Sequence, residues 1–433
     1  MAKTRRPRPP HQRDSARIQA RKTGRPSDIA LPKTDLQCEK DRSIARISKK
    51  WWRTPRKRDW ASRGLYNHGR HADHMNSVFQ SLLHQPAFVN WIRRHRECDV
   101  KTGLCGICSM RLLIEEYWDQ KPLYYEAGAG TASMYNPSTA SYYLNDPLAD
   151  GPTTPLGELA RNAHRHGAGK FPLGLHEDAE AFYRWFLPDL KECIKRMPVT
   201  DREASTFCKQ YDALYKLDCA INTTCDNCHR VIGHLAVDWT SFPHGLSIWY
   251  DNTMTTLEEA IDSTLNDIFA TEERRGVCAV PPKGCYKRGD LQRPQTARFE
   301  IEGAPHILLL YLRLFNTPAR DTEPHRLQIP ATLDLTQRQR IKDTPLRYRL
   351  SSMICHRGRS YARHFTSVVR GKEKDARIDD DKVLYMPRTD GPFPHNPGNH
   401  PYILTYIRDE RDYKGERELL GLALGQQHFR DGF

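Results

Sequence analysis

The hydrophobic periodicity of this chain changes character once, and that change limits the fold more than any single motif. Met75, Val78, Phe79, Leu82 and Leu83 recur at the three- and four-residue spacing of one helix face. Ala179, Phe182, Tyr183, Phe186, Leu187 and Leu190 repeat the pattern. Pro188 falls inside this second stripe. It has no N–H to give and its ring crowds the preceding turn, so the helix is expected to kink or end early there. In the C-terminal half the spacing becomes that of strands. His306 to Phe315 is a near-continuous apolar run of strand length, and Tyr402 to Arg408 reads as a last short strand. Arg347 to His356 and Tyr361 to Arg370 flank Arg357-Gly358 as the arms of a hairpin. Helices first and antiparallel strands afterwards imply an α+β protein. No internal repeat is visible.

The chain has 433 residues, 38% hydrophobic and 28% charged, which suits a soluble chain with a sizeable core. Its longest strongly apolar run, Ile307 to Leu312, is far short of the ~20 residues a membrane helix needs. No apolar segment follows the basic N-terminus, so neither a membrane anchor nor a secretory signal is expected, and the nucleus or cytoplasm is the expected location. The net charge of +14 suggests a nucleic-acid ligand until it is located. Residues 1–60 hold 19 Lys/Arg against 6 Asp/Glu, a net of +13, and the rest carries only +1. The positive field therefore belongs to an arm, read as disordered because it lacks apolar periodicity. A solvated arm, a nuclear-localisation signal and a nucleic-acid contact are all compatible with it.

Twelve cysteines are present, and without a secretory signal their clusters read as zinc ligands rather than disulfides. His95, Cys98, Cys105 and Cys108 supply four ligands in the pattern H-x2-C-x6-C-x2-C. Cys225 and Cys228 have the two-residue knuckle spacing that lets both thiolates grip one tetrahedral ion. The plainer reading of the second pair is two small buried residues, and Cys193, Cys208, Cys219 and Cys355 read as core.

The stretch from Gly64 to Ser77, GLYNHGRHADHMNS, resembles the cysteine box of ubiquitin-specific proteases, roughly G-L-x-N-x-G-N-T-C-Y-M-N-S. Four further blocks follow in that family's order. His176 to Phe182 resembles Q-Q-D-A-H-E-F, and Leu310 to Phe315 resembles the strand ending L-K-R-F. Arg363 to Ser367 is similar to the histidine box G-H-Y-T-A, and Ile378 to Val383 to F-D-D-S-K-V. The resemblance covers about residues 61–408.

What it implies is a papain-like cysteine protease fold with a helical thumb, an antiparallel palm and zinc-binding fingers at about residues 219–300. The domain would span 61–410, between the basic arm and a tail at 411–433. Such enzymes cleave the isopeptide bond after the C-terminal glycine of ubiquitin, using a thiolate, a histidine base and a carboxylate that orients the base. His364 matches the base, Asp379 the orienting carboxylate and Asn67 the residue that stabilises the oxyanion. The family's second finger knuckle points to Cys278 and Cys285 as partners of Cys225 and Cys228, at a wider spacing than usual. The four-ligand group at His95 is similar to a thumb zinc site in some of these proteases.

The nucleophile is missing. Counted from Asn67 the cysteine slot falls on Ala72, and counted back from Met75-Asn76-Ser77 it falls on Asp73, because the box is one residue too long. No cysteine lies between Cys38 and Cys98. Asp73 is expected to be the N-cap of the helix that begins at Met75. Other departures are Arg363 for the family's Gly, Leu314 for its Arg and Asp375 for its Trp. The reading that follows is a pseudo-deubiquitinase with zinc, partnered by ubiquitin or a ubiquitinated protein and possessing a scaffold role in a multiprotein complex. Its alternatives are an active deubiquitinase and a zinc-containing interaction protein whose basic arm binds nucleic acid.

Overall fold

A computed structural model describes residues 34–51, 62–65, 67, 72–96, 105–119, 177–226, 231–237, 245–251, 253–268, 273–276, 293–313, 327–342, 344–358, 364–394 and 398–409. Among the described residues, six helices precede the first strand: α1 (Asp35–Ile44), α2 (Asp73–Leu83), α3 (Pro86–Ile92), α4 (Gly106–Asp119), α5 (Ala179–Ile194) and α6 (Asp201–Tyr215). The strands are β1 (Asp218–Cys225), β2 (Val231–Val237), β3 (Leu246–Ile248), β4 (Glu273–Gly276), β5 (Arg293–Gly303), β6 (Ile307–Leu312), β7 (Thr332–Asp334), β8 (Arg347–Arg357), β9 (His364–Arg370), β10 (Lys374–Asp379), β11 (Lys382–Pro387) and β12 (Asn399–Arg408). Helix α7 (Leu257–Ile268) lies between β3 and β4.

The large sheet runs β11-β10-β9-β8-β12-β6-β3, with β7 paired to β8. All its pairings are antiparallel except β3 with β6. Strand β6 explains the apolar run of the sequence. Ile307, Leu309 and Tyr311 pack into a core shared with α2 to α6, while Leu308, Leu310 and Leu312 pack into a second core with α7. A strand covered on both faces has no polar side to show, so it reads as continuous rather than alternating. The expected hairpin is present: His356 pairs with Phe365 and Arg357 with His364, and Gly358 beyond β8 has a φ of +89°.

The small sheet, β2-β1-β5-β4, draws its strands from Asp218 to Gly303. That segment is not one continuous finger. Leu246–Ile248 and α7 leave it to join the large sheet and its core.

Three local expectations are corrected. Helix α5 runs unbroken through Pro188, because Phe186, Leu187 and Leu190 are buried and Tyr211 donates its hydroxyl proton to the Leu187 carbonyl at 2.6 Å. Helix α2 begins at Asp73 with Ala72 as its N-cap, so Asp73 is not a cap; its carboxylate is turned across the cleft instead. Part of the segment assigned to a disordered arm is folded. Thr34 accepts the Gln37 N–H at 3.0 Å and starts α1, which packs on α6 and β5. Lys40, 6% exposed, pairs with Asp218 at 2.8 Å and donates to the carbonyls of Asp212 and Lys216. Gln37 accepts the Ala304 N–H at 2.7 Å, and Ile44 and Ile47 enter the core.

Candidate functional site

Helix α2 is buried all round, and its polar residues dock it rather than face water. Gln80 donates to the Arg63 carbonyl at 2.7 Å, and the hydroxyls of Ser81 and Ser352 lie 2.6 Å apart. Asn76 donates to Asp380 at 2.9 Å. These contacts set the first residue of the helix, Asp73, against the start of β9.

There Asp73 Oδ2 accepts the Phe365 N–H at 2.9 Å and lies 3.2 Å from His364 Nδ1. On the other side of the ring, His364 Nε2 meets Asp379 Oδ1 at 2.6 Å. The two residues that the motif offered for the nucleophile position have different contacts: Asp73 faces the histidine, and Ala72 contributes its backbone N–H to Asn67 Oδ1 at 2.8 Å. Asn67 in turn donates to Asp380 Oδ2 at 2.7 Å.

Asp380 is the residue that motif counting overlooked. It occupies the two-residue turn between β10 and β11, with a φ of 52°, a left-handed conformation that Asp tolerates better than most residues. Its side chain accepts from Asn67 and Asn76, and its carbonyl accepts the Leu65 N–H at 2.8 Å. Gly64 explains why the loop can lie on this turn: a Cβ there would come within 2.3 Å of the Asp381 carbonyl oxygen. The sequence signal was available in the acidic block itself, as a second Asp in a turn between two strands.

The electrostatics follow from the geometry. The hydrogen bond with Asp379, and then that with Asp73, pushes the His364 pKa up to about 10. The hydrogen bond from His364 lowers the pKa of Asp379. Burial of Asp73, only 1% exposed, opposes its ionisation, but the bonds from His364 and the Phe365 N–H outweigh it and its pKa falls. Burial pushes the Asp380 pKa up to about 6. At neutral pH the ring is a cation held between two carboxylates, and a protonated imidazole has no lone pair with which to act as a base.

Of the other departures, Asp375 lies at the far end of the β9–β10 hairpin, paired with Arg370 at 3.0 Å. His176, Arg363 and Leu314 lie outside the described residues.

The thumb cluster is brought together in part. The ligand atoms of His95, Cys105 and Cys108 lie within 4.8 Å of one another, with Cys105 Sγ 3.6 Å from His95 Nε2. Bonds of about 2.05 Å to nitrogen and 2.3 Å to sulfur at a tetrahedral angle imply an N···S edge of about 3.6 Å, so this spacing fits zinc. Cys98 lies outside the described residues. Cys193, expected to be core, is buried and also touches Cys105 through a sulfur hydrogen bond. In the fingers Cys225 is buried at the end of β1, and Cys228, Cys278 and Cys285 lie outside the described residues. No helix among the described residues is long and apolar enough to cross a membrane.

The family profile "Ubiquitin carboxyl-terminal hydrolase" matches residues 63–406. Ubiquitin carboxyl-terminal hydrolase 36 of Drosophila virilis is 22% identical over 82% of this chain and 26% of its own length. The protein of the same name from Drosophila mojavensis is 24% identical over 80% of this chain and 26% of its own length. The chain thus spans about a quarter of the length of these curated relatives. Among solved structures, the SAGA Ubp8/Sgf11/Sus1/Sgf73 DUB module bound to ubiquitin aldehyde aligns with a TM-score of 0.56 at 15% identity, over 83% of this chain and 72% of that one. The same module bound to monoubiquitin aligns with a TM-score of 0.56 at 16% identity, over the same shares of each chain. These structures share the α+β, papain-like fold, in which the helical layer is the thumb, the large sheet the palm and the small sheet the fingers. With the profile spanning most of its length, the chain belongs to the ubiquitin carboxyl-terminal hydrolase family.

Proposed function

We propose that this protein is a pseudo-deubiquitinase, which holds the tail of ubiquitin, alone or on a modified protein, in the cleft between α2 and β9 and does not cut it. The observation that carries this reading is Asp73, a carboxylate where the histidine should face a thiol. Attack by a carboxylate on an amide would give a tetrahedral adduct whose better leaving group is the carboxylate itself, so the adduct collapses back to the starting amide. His364, held as a cation by Asp73 and Asp379, is also a poor proton acceptor at neutral pH. Asn67, bonded to Asp380 and to the Ala72 N–H, is the residue that matches the family's oxyanion-stabilising Asn.

An active ubiquitinyl hydrolase is the rival reading. It is favoured by the intact His364–Asp379 pair at 2.6 Å. One experiment separates the two: treatment with a ubiquitin bearing a C-terminal electrophile and with a fluorogenic ubiquitin substrate, beside a titration with monoubiquitin. We expect no adduct and no hydrolysis but saturable binding. An adduct mapping to the α2 N-terminus would establish the active reading.

Zinc on His95, Cys98, Cys105 and Cys108 would tie the end of α3 to the start of α4, and zinc on Cys225, Cys228, Cys278 and Cys285 would close the fingers. The fit of the first set rests on the 3.6 Å edge between Cys105 and His95. Elemental analysis of protein purified without chelators is expected to find zinc, one equivalent of it lost in Cys105→Ser. A place in a multiprotein complex, by analogy with the SAGA module, and a nuclear location belong to the same reading. So does nucleic-acid binding through the basic residues near the N-terminus.

A further inference from the structure

The substitution at the nucleophile position also changes what the end of the cleft can accept. Asp73, Asp379 and Asp380 bring three carboxylates to one imidazolium, and the ligand atoms of His364, Asp379 and Asp380 lie within 4.8 Å of one another. Asp73 reaches the same ring from the opposite side, at 3.2 Å. Among the described residues, the other charged or titratable groups near this cluster are Lys382 and Arg357 beside Asp379, and His74 beside Asp73. Lys382 and Arg357 are exposed, where water and salt screen them, while His74 is buried against Phe182.

We propose that Asp73 makes the cleft selective for joined ubiquitin, binding a tail that ends in an amide or isopeptide bond more tightly than one that ends in a free carboxylate. This rests on the reading that the cleft takes the ubiquitin tail. A free C-terminal carboxylate arriving at Asp73 adds a fourth negative group to a site whose one central cation is already shared by two. An amide ends differently. It carries no charge, and its N–H is a donor for which a carboxylate wall supplies acceptors. The residue that abolishes cutting thereby becomes the one that distinguishes a conjugate from free ubiquitin.

The test compares two forms of monoubiquitin, one with its native C-terminal carboxylate and one with that terminus joined to lysine by an isopeptide bond. Isothermal titration should give a Kd about tenfold lower for the joined form, the scale of a like-charge contact that water at the cleft mouth largely screens. In Asp73→Asn the two Kd values should converge, chiefly because the carboxylate form now binds better. A second comparison needs no variant. Ubiquitin shortened by its last two residues ends before Asp73, so amidating that shorter terminus should leave its Kd unchanged. Equal affinity of the full-length forms for the unmodified protein would overturn the proposal. So would a preference that persists in folded Asp73→Asn, or that appears equally with the shortened pair. Binding of neither full-length form would instead remove the ubiquitin reading on which the proposal stands.

Discussion

Two ion clusters tie distant parts of this chain together, and they differ in what surrounds them. Lys40–Asp218 fixes α1 to the root of the fingers, with the cation 6% exposed and two carbonyls completing its shell. Asp73–His364–Asp379 fixes the N-terminus of α2 to β9 and β10, but His364 is 32% and Asp379 40% exposed, at the mouth of a cleft. The first is a closed joint, in which every strong donor meets an acceptor. The second keeps the layout of a reactive centre and fills it with an ion pair. On the proposed reading, one side chain, Asp73, turns a cleft that the family uses for chemistry into a joint, provided that side chain ionises and the histidine remains.

The largest effect is expected at the first cluster. Removing residues 1–55 deletes α1, uncovers Asp218 and strips Ile44 and Ile47 from the core. The truncated protein should lose its cooperative unfolding transition or aggregate on purification. Lys40→Ala should cost about 2–4 kcal/mol, somewhat under the usual penalty for breaking a buried pair because Asp218 keeps Lys216 at 2.8 Å. Urea denaturation measures it, and a change within error of zero would mean that Asp218 reaches solvent once its partner is gone.

A smaller effect is expected at the second cluster. Asp73→Ala leaves the Phe365 N–H without this acceptor and frees one side of the His364 ring, at a cost of about 1–3 kcal/mol. The pH dependence gives the sign. The folded pKa of His364 lies above its ordinary value, so its contribution is complete below about 6.5 and is lost as pH rises through about 10. Asp73 and Asp379 are shifted down, so their contributions hold above about 3.9 and disappear as pH falls through their lower folded values. The stability difference between the unmodified protein and His364→Gln should therefore be greatest between about pH 4 and 6.5 and shrink toward pH 10. A difference that grows with alkalinity would contradict the charged state assigned to the ring.

The same two regions show what the sequence could disclose. The stripe from Met75 to Leu83 marked α2 because apolar periodicity is a local property. The partners of its polar residues were not legible, since Asn76 and Ser81 find Asp380, Ser352 and Thr405 only through the fold. Helix α1 escaped notice for the same reason: its buried side includes Gln37 and Lys40, whose partners Ala304 and Asp218 are far along the chain. One local sign was present, Thr34 three residues before Gln37, the start of a capping pattern. The site residues His364, Asp379 and Asn67 were found by resemblance in motif. The choice between Ala72 and Asp73 was open because counting from either end of the box is equally valid; the fold puts Asp73 at the helix start, beside His364.

The recovery of catalysis is expected to be the smallest effect in absolute rate, and it tests whether the cleft lacks an atom or a register. Asp73 is the first residue of α2 and faces His364 Nδ1, so Asp73→Cys places sulfur at a helix N-terminus beside the base, where a thiolate is favoured. Ala72→Cys puts the thiol one residue before the helix, at the N-cap, and away from the position that faces the histidine. The oxyanion side is less well provided. Asn67 is engaged at both ends of its amide, by the Ala72 N–H and by Asp380, and the box holds one residue more between Asn67 and the helix than the family pattern does. A misplaced oxyanion donor costs roughly 10²–10³ in rate. Replacing His71-Ala72-Asp73 by Thr-Cys removes the extra residue and installs the thiol together. With a fluorogenic ubiquitin substrate, kcat/KM for Asp73→Cys should be barely above background, and the shortened box should exceed it by about that factor. Adding Arg363→Gly should raise it further by restoring the small residue that the family has before the histidine. Equal activity from Asp73→Cys and the shortened box would mean that the extra residue is absorbed without moving Asn67, and that the cleft lacked only its sulfur.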